Sequence, residues 1–187
     1  NSNKDSIIVM KFGGTSVQTE ESRKHVIRHI RRNVELGKKV VAVVSAMGRK
    51  GEPYATDTLI SLLKDVGEPV NPEELDSVMS IGERLSSAYF SHLLTMSGMP
   101  AVAFTGGQAG ILTDDNPGNA EILEINTFRI LNALNEGKIV VVAGFQGINL
   151  EGDVRTLGRG GSDTSAVALG SSMDAEVVEI YSDVDGI

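Results

Sequence analysis

Short apolar runs that end in glycines and lead into helix-forming segments recur along this chain of 187 residues. The clearest are residues 7–12, 100–104 and 138–143, which precede Gly13, Gly106 and Gly144. Strands of this kind alternating with helices predict an α/β fold whose mainly parallel sheet is covered on both faces. Ligands bind beyond the carboxyl ends of such strands, so these loops and a fourth at 158–161 should converge on one cleft.

The spacing of apolar residues places the remaining elements between these runs. Further strands are expected at 39–45, 122–125 and 176–181, with a hairpin of 148–150 and 154–157 turned at Gly152-Asp153. Helices are expected at 20–36, 57–66, 127–136 and 162–170, with a turn at 114–118. The helix that Asp57 caps should end at Gly67 and bury an apolar face of Leu59, Ile60, Leu62, Leu63 and Val66.

One more helix begins with Asn71 as its cap and Pro72 in its first turn. Ser80 and Glu83 have the spacing of a capping box, so a helical segment over 82–97 could start afresh there. Two roles for Glu83 therefore stay open. It could close that box, or it could receive an ammonium group from a substrate.

Charge and composition exclude several classes of function. The chain has 25 acidic and 17 basic residues, a net charge of −8, which disfavours nucleic acid and anionic membranes as partners. It contains no cysteine, so disulfides, thiolate metal sites and thiol nucleophiles are ruled out. No apolar run approaches the roughly 18 residues of a membrane span. These features predict a soluble, cytoplasmic protein that acts on a small ligand.

The segment 154–166 combines a short strand, a glycine-rich bend and a helix start. Glycines at 158, 160 and 161 allow a tight bend and a close approach to a ligand. Ser162 suits the N-cap, and the free N–H groups behind it suit an anion. Arg159 adds planar donors for a carboxylate or phosphate. A capped helix after a glycine turn is the plainer alternative, and the segment lacks the third glycine of the dinucleotide fingerprint.

Four other polar side chains are candidate site residues, three as donors to an anion and one as an acid that orients lysines. Lys11 stands beside Gly13-Gly14 at a strand end, where it could extend into solvent or hold an ammonium over phosphate oxygens. Ser45 ends the second strand and is either solvated or a hydroxyl donor to an anion, while Thr56 is a weaker candidate that could cap a helix. Asp163 could simply favour a helix N-terminus, or it could orient lysines around a transferring phosphoryl group.

Two other pairs of polar side chains also have plain structural explanations. Asp183 and Asp185 could be turn residues before Gly186, or they could meet a ribose or a hydrated magnesium ion. His25 and His29 have zinc-ligand spacing, but the arginines and lysines around them indicate a solvated basic helix face instead.

Seven motifs in sequence order resemble the aspartate kinases. They are KFGGTS (11–16), VVSAMG (43–48), MSIGERLS (79–86), FTGGQAG (104–110), VAGFQG (142–147), TLGRGGSDTSA (156–166) and SDVDGI (182–187). KFGGTS together with GRGGSD at this separation is far more specific than either alone. The resemblance implies an amino-acid-kinase fold, a three-layer αβα sandwich, and transfer of the γ-phosphoryl group of ATP, with Mg²⁺, to the β-carboxylate of L-aspartate.

The same resemblance assigns roles to individual residues. Lys11 and Asp163 would be catalytic, with Asp163 organising the phosphoryl site. Nucleotide contacts would come from Lys11, Phe12, Gly13, Gly14, Ser182 and Asp183. Substrate contacts would come from Ser45, Thr56, Glu83, Arg159, Gly160, Gly161 and Ser162, with Arg159 on the α-carboxylate and Glu83 on the ammonium. Position 182 is often Thr in the family, and Ser keeps the hydroxyl.

Family members continue past Ile187 with the rest of the nucleotide subdomain and with ACT regulatory domains. We therefore expect residues 1–187 to form a truncated catalytic domain, weakly active or inactive alone, and the full-length enzyme to be a homo-oligomer. A sister kinase acting on N-acetylglutamate, and a non-catalytic anion-binding module, are the alternatives. A nicotinamide-dependent dehydrogenase is disfavoured because the dinucleotide fingerprint is missing.

Overall fold

Strands and helices alternate through the computed structural model, which describes residues 6–49, 51–158 and 160–181. The strands are β1 (Ile7–Phe12), β2 (Lys39–Val44), β3 (Ala101–Phe104), β4 (Ile111–Thr113), β5 (Ile122–Ile125), β6 (Ile139–Ala143), β7 (Gln146–Ile148), β8 (Val154–Thr156) and β9 (Val177–Tyr181). The α-helices are α1 (Glu20–Glu35), α2 (Thr56–Val66), α3 (Pro72–Met96), α4 (Phe128–Asn135) and α5 (Gly161–Ser172). A short 3₁₀ helix spans Gly14–Val17.

Five strands form a parallel sheet in the order β3-β6-β2-β1-β9. Side chains alternate across each strand, so Ile8 and Met10 of β1 pack with α1 and α3, while Val9 packs with α5 on the opposite face. Both faces of the sheet are therefore buried. The three-layer sandwich expected for this sequence is confirmed.

A second, smaller sheet was not predicted. It has four strands in the order β5-β4-β7-β8 and mixes parallel and antiparallel pairs. Its hairpin pairs β7 with β8, so the first hairpin strand lies two residues before the predicted 148–150. The cause is Asn149, whose side-chain oxygen accepts from the N–H groups of Glu151 and Asp153 at 3.1 and 2.9 Å. These bonds commit residue 149 to the turn.

Helix α2 differs from the sequence prediction in its start and in its burial. It begins at Thr56 with Ala55 as N-cap, so Asp57 lies in the first turn and does not cap it. None of the α2 residues, all of which the structure describes, is buried, and Leu62 and Val66 are 60% and 90% exposed. The helix packs mainly on α3, and this contact covers only one side of its apolar stripe.

Helix α3 runs unbroken through the expected capping box. Ser80 donates its hydroxyl to the carbonyl of Ser77 at 2.7 Å, and the Glu83 carboxylate bonds outside the helix. The expected cap at Ser162 is also wrong, because α5 begins at Gly161 with Gly160 as N-cap. Gly160 has φ 76°, a left-handed conformation that glycine adopts without strain. None of the helices in the described ranges is long and apolar enough to cross a membrane.

Candidate functional site

A cleft of about 580 Å³ opens where β1 and β2 end and where α2 and α5 begin. Three glycine-containing loops, at Gly14, at Gly144-Phe145 and at Gly160-Gly161, meet there. The lining residues are Lys11, Gly14, Thr15, Gln18, Ser45, Ala46, Gly48, Thr56, Met79, Glu83, Phe145, Gly160, Gly161, Ser162 and Asp163. The structure thus brings together nine of the residues that the sequence nominated: Lys11, Gly14, Ser45, Thr56, Glu83, Gly160, Gly161, Ser162 and Asp163.

The loop at Gly106 does not join this cleft, contrary to the expectation that all four loops would converge. Strand β3 lies at the edge of the sheet, and the loop after it turns toward β7. The N–H of Gly106 donates to the side-chain oxygen of Gln146 at 3.3 Å, and a Cβ on Gly106 would lie 2.1 Å from the Gln146 carbonyl oxygen. Gly107 lines a separate cavity of about 230 Å³.

Lys11 reaches the cleft because of its position in β1. The alternation that sends Val9 toward α5 sends Lys11 to the same face, two residues nearer the carboxyl end. Its ammonium lies 3.2 Å from a carboxylate oxygen of Asp163 in the first turn of α5. The two side chains are 15% and 52% exposed, so the cation is sheltered and the anion borders solvent. The ion pair therefore holds the Lys11 ammonium beside the N-terminus of α5.

Two helix N-termini open into this cleft. Neither α2, capped by Ala55, nor α5, capped by Gly160, has a side-chain cap that accepts from its first N–H groups. Unpaired N–H groups at a helix start carry a partial positive charge and bind anions. Ser162 stands in the first turn of α5, where Gly144 leaves room for its hydroxyl. The cleft is therefore built to receive negatively charged oxygens.

Glu83 is the buried acid of the site, with 7% of the residue exposed. Oxygen Oε1 accepts from the N–H of Ala46 at 3.3 Å, while Oε2 is buried with no hydrogen-bond partner among the described residues. Gly82 permits this approach, since a Cβ there would lie 2.8 Å from the Ala46 side chain. Burial raises the pKa of Glu83 to about 7, and hydrogen bonds from its own main-chain N–H and from that of Ala46 oppose this increase. A cationic donor in the cleft would satisfy the open oxygen.

Several predicted site residues need separate comment. Arg159, Ser182 and Asp183, together with Asp185, lie outside the described residues. Phe12 is buried on the α3 face, where its ring contacts Phe90 and Tyr181 at 5.7 and 5.0 Å between centroids. Any contact of Phe12 with a nucleotide would therefore involve its main chain. Gly13 is buried as the N-cap of the 3₁₀ helix, which places Gly14 in the cleft wall.

Phe145 is the most distinctive lining residue that sequence reasoning missed. It has φ 69°, which is uncommon for a residue with a bulky side chain. Its N–H donates to the Ser165 hydroxyl at 3.1 Å, and its carbonyl accepts from the Leu157 N–H at 2.8 Å. A Cβ on Gly161 would lie 2.4 Å from the phenyl ring, so ring and glycine loop fit each other. The glycines on either side of Phe145-Gln146 were the available signal.

Two carboxylates, Glu83 and Asp163, line the described part of the cleft. Across residues 6–49, 51–158 and 160–181, no three His, Asp or Glu side chains gather closely enough to hold a metal ion.

Comparison with known proteins places this site in a family. The sequence model of the amino acid kinase family matches residues 6–187. Aspartokinase 1 of Bacillus subtilis is 51% identical over 181 residues, which cover 97% of this chain and 45% of that protein. Curated relatives from Geobacillus stearothermophilus and Mycolicibacterium smegmatis, both aspartokinases, are 48% and 45% identical. The chain therefore spans less than half the length of the curated relatives it matches.

Solved structures agree with the sequence relatives. The aspartate kinase of Synechocystis superposes with a TM-score of 0.78 at 41% identity, covering 97% of this chain and 29% of that one. Aspartokinase III of E. coli, solved with aspartate and ADP, also gives 0.78 at 26% identity, covering 97% and 50%.

Proposed function

Because this chain belongs to the amino acid kinase family, we propose that it forms the catalytic domain, or most of it, of an aspartate kinase. The reaction moves the γ-phosphoryl group of ATP to the β-carboxylate of L-aspartate, the first step of a route to aspartate-derived amino acids. Support comes from relatives at 45–51% identity that are aspartokinases. A structural relative was solved with aspartate and ADP. An enzyme that consumes these metabolites belongs in the cytoplasm.

The open oxygen of Glu83 is the observation that carries this proposal. A buried carboxylate oxygen without a partner is costly, and a charged donor from the substrate would remove that cost. The α-ammonium group of aspartate is such a donor. N-acetylglutamate has an amide at the same place and carries no charge there. The site therefore favours a free amino acid over an acetylated one.

We assign the phosphoryl end of the cleft to Lys11, Gly14 and Asp163. The Lys11 ammonium would bind phosphate oxygens, and Asp163 would hold Lys11 in place. Gly13 and the main chain of Phe12 complete the nucleotide contacts at this strand end. Ser182 and Asp183, beyond the described residues, would contact the rest of the nucleotide.

The other end of the cleft would hold aspartate. Glu83 would take the ammonium and Arg159 the α-carboxylate, which suits the planar donors of a guanidinium. The remaining oxygens would be bound by the hydroxyls of Ser45, Thr56 and Ser162 and by the main chain of Gly160 and Gly161. These assignments place the β-carboxylate between Glu83 and Lys11.

For this reaction the protein needs mainly to align the two substrates and to neutralise negative charge. A carboxylate with a pKa near 4 is already ionised at neutral pH, so the attack needs no general base. An oxygen of the β-carboxylate forms a bond to the γ-phosphorus while the bond to the bridging oxygen of ADP breaks. Positive groups around the γ-phosphate neutralise the charge that develops. Mg²⁺ would enter with ATP, because protein-bound Mg²⁺ commonly relies on phosphate oxygens and one or two carboxylates.

A trapping assay on the full-length protein tests the proposal. With ATP, Mg²⁺ and hydroxylamine, an acyl phosphate product is converted to a hydroxamate. We expect hydroxamate from L-aspartate and none from N-acetylglutamate, and we expect Glu83→Gln to lose most of the aspartate reaction. Turnover of N-acetylglutamate without aspartate would assign a sister kinase. Saturable ATP binding with no turnover of either acid would indicate a non-catalytic module.

A further inference from the structure

Asp76 is a fully enclosed acid that the catalytic assignments do not use. It lies in α3 with 1% of the residue exposed, and its carboxylate accepts three hydrogen bonds. Oδ1 accepts from the hydroxyl of Thr156 at 2.7 Å. Oδ2 accepts from the N–H of Thr156 and from the N–H of Gly118, both at 3.1 Å. These three hydrogen bonds join α3 to the end of β8 and to the segment at Gly118.

The two ends of this contact lead to opposite walls of the cleft. Glu83 follows Asp76 by seven residues on the same helix, which is about two turns or roughly 10 Å along the same face. Thr156 is the last residue of β8, and α5 begins five residues later at Gly161. Asp76 thus connects the helix that carries Glu83 to the strand that enters the glycine loop.

Neighbouring contacts hold the same loop entrance from the other side. Asn119, next to Gly118, lies against the loop, since a Cβ on Gly158 would be 2.4 Å from its side-chain oxygen. Arg155, 2% exposed, donates two hydrogen bonds to Asp115, at 2.7 and 3.1 Å. The strand end is therefore fixed to α3 through Asp76 and to the 114–120 segment through these residues.

We propose that Asp76 is a positioning residue that sets the separation between Glu83 and the N-terminus of α5, and so the fit of the amino-acid substrate. This inference rests on the proposed function, which places the substrate between those two walls. Asp76 does not touch the substrate in this scheme. It acts through Thr156 on the loop that carries Gly160, Gly161 and Ser162.

The test compares variants of the full-length protein in steady-state kinetics. Asp76→Asn replaces one acceptor oxygen by an NH₂ group, which cannot accept from an N–H. Thr156→Val removes the hydroxyl donor at nearly constant shape, and Thr156→Ser keeps it. We expect Asp76→Asn and Thr156→Val to raise the KM for aspartate at least about tenfold, because small misplacements of binding groups are costly. The KM for ATP should stay within about twofold, since Lys11 lies on β1 and Gly14 in the 3₁₀ helix that follows it, both outside β8 and α5.

Controls and a second readout separate this inference from the proposed function. Thr156→Ser and Glu74→Gln, an exposed acid of the same helix, should resemble the parent. The double variant should be no worse than the poorer single variant, because both act on one contact. Equal changes in both KM values, an unchanged KM for aspartate, or additive effects would overturn the inference. Should Asp76→Asn fail to fold, the Thr156 pair carries the kinetic comparison.

Amide hydrogen exchange provides the readout that does not need turnover. Asp76→Asn or Thr156→Val should accelerate exchange over residues 157–164 and leave β1 protected, whatever substrate the enzyme uses. Unchanged exchange in that loop would overturn the inference. If the parent turns over neither acid, the proposed function fails while the exchange data still decide the role of Asp76.

Discussion

The ammonium of Lys11 lies 3.2 Å from the carboxylate of Asp163, joining the end of β1 to the first turn of α5. Lysine has three N–H donors, and an ion pair to one acid leaves the others available to a ligand. Asp163 borders solvent, so the pair contributes little to folding stability. The pair matters because it holds the cation beside the N-terminus of α5, which has no side-chain cap.

Replacing Lys11 by methionine should lower kcat by about 10²–10³, the usual cost of removing one donor to a charged transition state. Steady-state kinetics of the full-length enzyme would measure this. Lys38→Met is the matched control, because Lys38 also forms an ion pair, at 2.8 Å with Glu176, but at the opposite end of the sheet. An unchanged rate for Lys11→Met would mean that this lysine is a surface residue without a catalytic role.

Glu83 should make aspartate binding depend on pH near neutrality. Burial raises the pKa of Glu83 to about 7, and only the carboxylate form attracts an ammonium. Well below that pH, kcat/KM for aspartate should fall about tenfold per pH unit, mainly through a rising KM. In Glu83→Gln this inflection should vanish and KM should be high throughout. A profile with the same inflection in the variant would assign the titration to another group.

The same group should affect folding stability in the opposite direction. The pKa of Glu83 is about 7 in the folded protein against an ordinary value of 4.5, so the folded state binds more protons between these values. Stability from this group is therefore present at low pH and lost as pH rises through the window, by about 3 kcal/mol in all. Urea unfolding at about pH 5 and about pH 8 should measure this. The free energy of unfolding of Glu83→Gln, relative to that of the parent, should be higher at about pH 8 than at about pH 5.

Glu74→Gln is the control for that comparison, since Glu74 is exposed on the same helix. The difference between parent and Glu74→Gln should not change with pH. If the stability difference from the parent changed equally with pH in both variants, Glu83 would be ionised without cost in the folded protein.

Apolar residues on α2 and α3 should differ in how much they contribute to folding stability. Val66 is 90% exposed, so Val66→Ser should change the free energy of unfolding by less than about 0.5 kcal/mol. Leu94 on α3 is 0% exposed, and Leu94→Ala should cost about 2–5 kcal/mol. Urea denaturation would measure both. A large loss for Val66→Ser would restore the sequence-based prediction that this side of α2 is buried.

Local patterns predicted the main sheet well and the site only in part. The position of Lys11 at the carboxyl end of the apolar run of β1 was enough to anticipate that it lines the cleft. The stripe of α2 was misleading, because periodicity marks an apolar face without showing what covers it. The cap of α5 was placed at Ser162 because serine has a suitable side chain, whereas the conformation of Gly160 decides where the helix starts. Phe145 depends on tertiary hydrogen bonds that no local pattern records.

Gly160 offers a last test of how the glycine loop presents α5. Its φ of 76° disfavours residues with a Cβ, although nothing lies within 4 Å of a Cβ placed there. Valine should therefore cost about 1–2 kcal/mol through backbone strain and should distort the loop, while asparagine, which tolerates this conformation, should cost less. Gly37 has φ 80° and equally open surroundings at the end of α1, so Gly37→Val is a matched strain control.

Both valine variants should lose similar thermal stability, measured by the unfolding midpoint. Only Gly160→Val should raise the KM for aspartate, because only Gly160 precedes the N–H groups that face the cleft. Gly160→Asn should keep most of the parent activity. If Gly37→Val impaired catalysis as much as Gly160→Val, the effect would be one of general destabilisation, and the loop conformation would have no special part in binding.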